Sequence, residues 1–172
     1  MAPPRVCILA ENFYEEMELW YPYYRLIEAG CVVDLVGSKA GAVYHGKHGY
    51  PVTSGPDSAS VQAKDYALFV IPGGYSPDHM RRCAATVALV KDASRLGKPL
   101  AAICHGGWLL ASCANLKGRR LTSFTSIKDD LVNAGAIWVD EEVVVDGPVI
   151  TSRTPQDLVP FTRALLDALG LK

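Results

Sequence analysis

The chain has 172 residues, 49% of them hydrophobic and 20% charged, with a formal net charge of −1. A chain of that size buries about two thirds of its unfolded surface in one core and needs neither disulfide nor metal staples. The near-neutral balance excludes charge-driven binding of nucleic acid or an anionic membrane, and leaves a small neutral or mildly polar ligand as the default.

The opening MAPPRVCILAENF carries one Arg and an apolar run too short for a secretory core or a membrane span, so the expected location is the cytoplasm. Val6 to Ala10 reads as a buried strand. A helix is predicted from Tyr14 to Ala29, with Glu15, Glu16 and Glu18 in its opening turns, a kink at Pro22 and Gly30 as its stop. Cys31 to Gly37 and Ala67 to Gly74 have the apolar density of central parallel strands. Between the second of these and the next strand, Pro99 to Cys104, one helix is predicted from Pro77 to Arg95, capped by Ser76 and ended by Gly97. A short helix over Trp108 to Ala114 follows. Weaker strand signals lie in RLTSF, AIWVD and VVVDGPVITS, the last with an Asp146-Gly147 hairpin turn. A final helix starts after the cap Thr154 and Pro155, with Leu158, Phe161, Leu165, Leu166 and Leu169 on its apolar face. No repeat or linker interrupts the chain, so residues 1–172 read as one domain. Strands alternating with helices predict an α/β fold, a mostly parallel sheet covered on both faces.

Five cysteines (Cys7, Cys31, Cys83, Cys104 and Cys113) are odd in number and widely spread, which suggests neither a disulfide framework nor a zinc cage. His45, His48 and His79 have no metal-binding spacing, and no metal is expected. Cys104 differs from the other cysteines. In AAICHGGWLL it sits where a strand meets a helix, and a side chain on such a turn is held out above the carboxyl edge of the sheet, where ligands bind. The helix N-terminus and nearby amides predict a lowered thiol pKa; the alternative is a plain core residue. His105 can act through its side chain as acid or base, or through its backbone N–H at an oxyanion site. Gly73 and Gly74, after the ALFVIP strand, can supply further amide donors or simply turn the chain. Glu15 and Glu18 share a helical face, and one of them can reach the thiol as a protonated hydrogen-bond donor, or both can serve only the helix start. Trp108 can narrow a pocket or pack in a core or interface, Gly106 leaves room for close packing, and Phe124 is expected as a strand residue packed in the core.

The stretches ENFYEEMELWYPYYRLIEAG, GKHGY, VIPGGYSPDHMRR, GKPLAAICHGGWLL, SIKDDLVNAGAIWVDEEVVVDG and TSRTPQDL, in that order, resemble the PfpI family within the ThiJ/PfpI superfamily, nearly end to end. The resemblance implies a single ThiJ/PfpI domain with a flavodoxin-like three-layer sandwich of the glutamine-amidotransferase class. It also implies a nucleophilic Cys104, a carboxyl partner at Glu18, an oxyanion site near Gly74 and His105, no cofactor, and homodimers or higher homo-oligomers. It places the third member of a triad, an acid supplied by a neighbouring subunit, at Asp78, where PfpI carries the longer glutamate. Phe124 stands where such chains often have tyrosine.

Three activities fit these residues. The first is a cysteine-dependent, cofactor-independent enzyme acting on small reactive carbonyls, with glyoxalase or deglycase chemistry protective under stress. The second is a PfpI-type intracellular peptidase in which the same thiolate attacks a peptide carbonyl. The third is a redox sensor or chaperone using an oxidisable Cys104.

Overall fold

The computed structural model describes residues 2–172, and its centre is a six-stranded sheet. β1 (Arg5–Leu9) leads into α1 (Glu16–Glu28), which returns to β2 (Val32–Val36). A hairpin of β3 (Val43–His45) and β4 (Pro51–Thr53) follows, then β5 (Leu68–Ile71), α2 (Ser76–Arg82), α3 (Ala84–Arg95), β6 (Leu100–Ile103) and α4 (Gly107–Cys113). β7 (Arg120–Leu121), α5 (Lys128–Asn133) and β8 (Ile137–Trp138) precede the closing hairpin of β9 (Val143–Asp146) and β10 (Val149–Ser152), and α6 (Leu158–Ala168) completes the chain. The sheet order is β2-β1-β5-β6-β10-β9; every pairing is parallel except that of β9 with β10. This is the expected flavodoxin-like layering.

Side chains alternate across the buried strands and divide the core in two. Cys7, Leu9, Phe69, Ile71, Leu100 and Ala102 face α2 to α5, meeting Met80, Leu89, Leu109 and Leu131. Val6, Ile8, Leu68, Val70, Ala101 and Ile103 face α1 and α6, meeting Leu19, Leu26, Phe161 and Leu165. Because the chain goes from β1 to β2 on one side and later returns to β5 on the other, the carboxyl ends of β1 and β5 flank a topological switch, the usual ligand crevice of such sheets.

Several elements depart from expectation. α1 continues through the buried Pro22 as one helix of 13 residues, capped by the Glu15 side chain, which accepts from the Glu18 N–H at 2.9 Å. The predicted helix over Pro77 to Arg95 breaks at Cys83, whose backbone is extended; the break lets Met80 on one helix and Leu89, Val90 and Ala93 on the next reach the same core. Ser76 does not cap: its hydroxyl donates to the Gly73 carbonyl at 2.9 Å. RLTSF and AIWVD yield only the two-residue strands β7 and β8, paired with each other outside the main sheet. Thr154 makes no side-chain cap, and a 3-10 turn, Pro155–Asp157, precedes α6, with the buried Asp157 carboxylate held by Arg153 at 2.9 and 3.1 Å. The β3–β4 hairpin has no counterpart among the predicted elements. The Asp146-Gly147 turn is as expected, with Gly147 at φ +55°.

Phe161 is fully buried between α6 and the sheet. Phe161→Ala should cost roughly 3–5 kcal/mol of stability, the usual cost of emptying a core site of that size, measured as a lower urea midpoint with an unchanged slope.

Candidate active site

The carboxyl ends of β1, β5 and β6 bring together the three sequence features that stood out. Cys104 takes φ +59°, a left-handed conformation rare outside glycine, at the head of a 3-10 turn, Cys104–Gly106, that runs directly into α4. The strand-to-helix elbow is thus present and strained. Close packing keeps it so: a Cβ at Gly106 would lie 2.5 Å from the Ile71 carbonyl oxygen, so only glycine lets the turn press against β5. The Phe124 N–H donates to the Cys104 carbonyl at 3.2 Å, tying the elbow to the segment after β7.

Glu18 comes to the elbow from α1. It is fully buried, and its Oε2 accepts the Gly73 N–H at 2.7 Å. A Cβ at Gly73 would lie 2.6 Å from that oxygen and 2.7 Å from the Cys104 Cβ, which explains the glycine. Burial, reinforced by the Glu15 carboxylate, pushes Glu18 up to about 8; the Gly73 amide and the Cys104 contact pull the other way without prevailing. The carboxyl is therefore protonated at neutral pH. Its Oε1 has no hydrogen-bond partner among the described residues, and the carboxyl interacts with the Cys104 thiol. Glu15 is occupied elsewhere, capping α1 and approaching Lys47 at 3.8 Å.

The lowered thiol pKa expected from the elbow is not what the structure gives. Burial, and next the Glu18 charge, push Cys104 up to about 12, although the amides of Gly74 and His105 are directed at the sulfur and oppose the rise. Cys104 is only 8% exposed, and desolvation outweighs the few donors of a short turn. The Coulombic part of that rise disappears whenever Glu18 keeps its proton.

His105 folds back onto the thiol. Its Nδ1 lies 3.2 Å from the Cys104 Sγ, and its Nε2 is 3.1 Å from the Ser126 hydroxyl. Burial, followed by the charge of Lys47, lowers the imidazole pKa, so the ring is neutral near pH 7. Phe124 stacks on it, with centroids 5.0 Å apart and planes at 25°, and is 37% exposed at the cavity wall. Its expected place in the core is corrected: the strand RLTSF ends at Leu121, and Phe124 has turned out over the site. Trp108 meets His105 edge-on at 5.0 Å and donates to Asp130 at 2.8 Å, so it backs the imidazole rather than narrowing the cavity. Gly106 likewise supports the elbow from behind. Asp78 pairs with Arg82 one turn along α2, and within the chain it makes no hydrogen bond to His105 or Cys104.

A cavity of about 690 Å³ opens above these groups. Cys104, His105, Glu18 and Gly74 form its floor, Phe13, Tyr75, Phe124 and Pro155 its apolar wall, and Lys47 with Glu15 its charged edge. Phe13, Lys47, Tyr75, Ser126 and Pro155 were not singled out as site residues from the sequence, although each lies in a stretch that carries the family resemblance and Pro155 was read only as a helix start. Phe13 is the other non-glycine residue with positive φ, at +63°. Its carbonyl accepts the Tyr75 N–H at 2.8 Å, and a Cβ at Gly74 would lie 2.3 Å from that carbonyl oxygen, so the loops after β1 and β5 lock together only with glycine there. A larger groove of about 820 Å³ between α3 and the turn Ala63–Asp65 has no cysteine or histidine in its lining. Glu15, Glu16 and His48 offer ligand atoms within 4.8 Å of one another, but Glu15 is engaged as the helix cap and Glu16 and His48 bond to each other at 2.9 Å. Among the described residues no helix is long and apolar enough to cross a membrane.

The sequence model of the DJ-1/PfpI family matches residues 4–168. A protein of Archaeoglobus fulgidus whose name gives no function is 52% identical over 96% of this chain and 98% of its own length. A protein of Pyrococcus abyssi named as a deglycase is 44% identical over 96% of this chain and 99% of its own. Among solved structures, a two-domain protein of Anabaena variabilis, with DJ-1/ThiJ/PfpI-like and ferritin-like domains, matches at a TM-score of 0.95 and 41% identity; the match covers 97% of this chain and 48% of that one.

Two outcomes follow from the geometry. Gly73→Ala should abolish cysteine reactivity and lower the melting temperature, because its methyl group meets fixed atoms of Glu18 and Cys104. Since Glu18 holds its proton to about 8 when folded but releases it near the ordinary carboxyl range when unfolded, the folded state binds the extra proton between those values, and stability falls as pH rises through that window. Glu18→Gln should therefore gain on the wild type in thermal melts as pH rises from 5 to about 8. A constant difference across that range would contradict the protonated carboxyl.

Proposed function

The chain belongs to the DJ-1/PfpI family, and from that premise we propose that it is a cysteine-dependent enzyme of deglycase type, acting without a cofactor on small 2-oxoaldehydes or the adducts they leave on thiols and amines. The observation that carries the reading is the Cys104 thiol, held at a strained elbow 3.2 Å from His105 Nδ1 with two backbone amides directed at its sulfur, on the floor of an open cavity.

The sulfur attacks the aldehyde carbon as the thiol proton passes to His105 Nδ1, and the oxygen that gains the electron pair accepts from the amides of Gly74 and His105. Preorganised donors of this kind are worth about 3 kcal/mol each in acyl-transfer sites. The imidazolium returns its proton to that oxygen, giving a thiohemiacetal. The proton on its carbon moves to the neighbouring carbonyl oxygen to give an enediol, and the hydroxyl proton of the former aldehyde oxygen then moves to the second carbon, which leaves a thioester of a 2-hydroxy acid. Water then cleaves the thioester, so aldehyde plus water becomes hydroxy acid with no external oxidant. Glu18, neutral throughout, keeps a second negative charge away from the sulfur and can donate to it. The apolar wall of Phe13, Tyr75 and Phe124 suits a small, weakly polar substrate.

The test is methylglyoxal consumption with lactate detection in buffer free of amines and thiols, the wild type beside Cys104→Ser. Lactate formation should fall by at least about a thousandfold in the variant, as expected on loss of a covalent nucleophile. Equal lactate from both proteins would sink the mechanism, and cleavage of unfolded casein without lactate would move the reading to a peptidase.

A further inference from the structure

We propose that Ser126 is the positioning residue of this site, its hydroxyl holding His105 Nε2 from within the same chain so that Nδ1 faces the Cys104 thiol. The inference rests on the reading of Cys104 as the nucleophile. For Nδ1 to take the thiol proton it must present a lone pair, which leaves the ring's single proton on Nε2. An acceptor is then needed at Nε2, and the Ser126 Oγ, at 3.1 Å, fills that place. The imidazolium formed by the transfer keeps the same bond.

The neighbouring contacts set the ring plane but not its proton. Phe124 stacks on one side and Trp108 stands edge-on, and neither offers a lone pair in the plane of the ring. The charged groups around His105 come from every side: Cys104 and Glu18 on the floor, Lys47 with Glu15 at the cavity edge, and Asp130 behind Trp108. Each has another partner or faces another atom, and among the described residues of this chain none of them bonds to Nε2. Asp78 is engaged with Arg82. Ser126 is exposed, but its backbone is fixed: it lies in the 3-10 turn Thr125–Ile127, whose Ile127 is buried and bonds through its N–H to the Phe124 carbonyl at 3.2 Å, while the Phe124 N–H bonds to the Cys104 carbonyl. The turn carrying the serine is thereby tied to the elbow through backbone hydrogen bonds. A hydroxyl also differs from a carboxylate in adding no charge, so it orients the imidazole without making it more basic.

The experiment follows alkylation of Cys104 by iodoacetamide, read on the Cys104 peptide across a pH series, together with the nitrogen shifts of His105 by NMR. Ser126→Ala should slow alkylation at neutral pH about fivefold, the size of one neutral hydrogen bond, and move the His105 proton away from Nε2. Ser126→Thr should restore both. Ser126→Asp should raise the His105 pKa and shift the rise of the alkylation profile to lower pH. An unchanged profile and tautomer in Ser126→Ala would overturn the proposal, as would the same changes appearing only in Asp78→Asn, which would assign the role to an acid reaching in from a second copy. Neither readout needs substrate, so a protein inactive on methylglyoxal would sink the deglycase reading and leave this test standing.

Discussion

Where the loops after β1, β5 and β6 converge, a carboxyl with no exposed surface accepts one amide and faces one thiol. An ionised carboxylate in that place would lack the donors to balance its desolvation, so Glu18 keeps its proton, and much else is arranged around it. α1 has to begin where Glu15 caps it, because only then does the next turn aim Glu18 inward. Gly73 has to lack a side chain so that its amide can reach the carboxyl. β1 and β5 have to be neighbours, because the switch between them creates the crevice that this carboxyl closes from below.

The elbow is the second constraint, and it depends on the first. A non-glycine residue in the left-handed region costs about 1–2 kcal/mol, and Cys104 keeps that conformation because its surroundings leave no alternative. β6 fixes the chain before it, α4 the chain after it, Gly106 presses on β5, and Phe124 bonds to its carbonyl. The burial that enforces the geometry also removes water from the sulfur. Position and acidity therefore pull in opposite directions here, which sequence spacing could not disclose.

The strands were legible because three of them, β1, β5 and β6, are buried on both faces and read as apolar runs, and the closing hairpin because Asp146-Gly147 supplies its own turn chemistry. Cys104, His105, Glu18 and the paired glycines were legible because each lies at a strand end or helix start, where the fold class alone puts ligands. The misses have physical causes. Cys83 has neither proline nor glycine to announce a helix break; the break arises from tertiary packing of Met80 and Leu89. The β3–β4 strands are three residues each, too short for a periodicity to emerge, and so the Lys47 they carry went unplaced. Phe124 read as core because RLTSF looked like a strand, and Ser126 was unremarkable because nothing local shows that an imidazole 21 positions earlier folds back to meet it.

These placements bear on the choice between a nucleophile and a sensor. At neutral pH the floor of the cavity holds a thiol, a neutral imidazole and a protonated carboxyl, so no charge stands there before substrate arrives. Oxidation by peroxide needs an accessible thiolate, and a thiol raised by burial and only 8% exposed supplies little of it. Addition to a carbonyl has no such requirement. In the proposed reaction the electrophile occupies the cavity, the thiol proton passes to the imidazole nitrogen 3.2 Å from the sulfur as the bond forms, and the new negative charge comes to rest on oxygen beside amides that are already in place. On the proposed reading, burial that keeps solvent oxidants from the sulfur still leaves it open to a carbonyl that brings its own charge acceptor, so one arrangement of groups serves both ends.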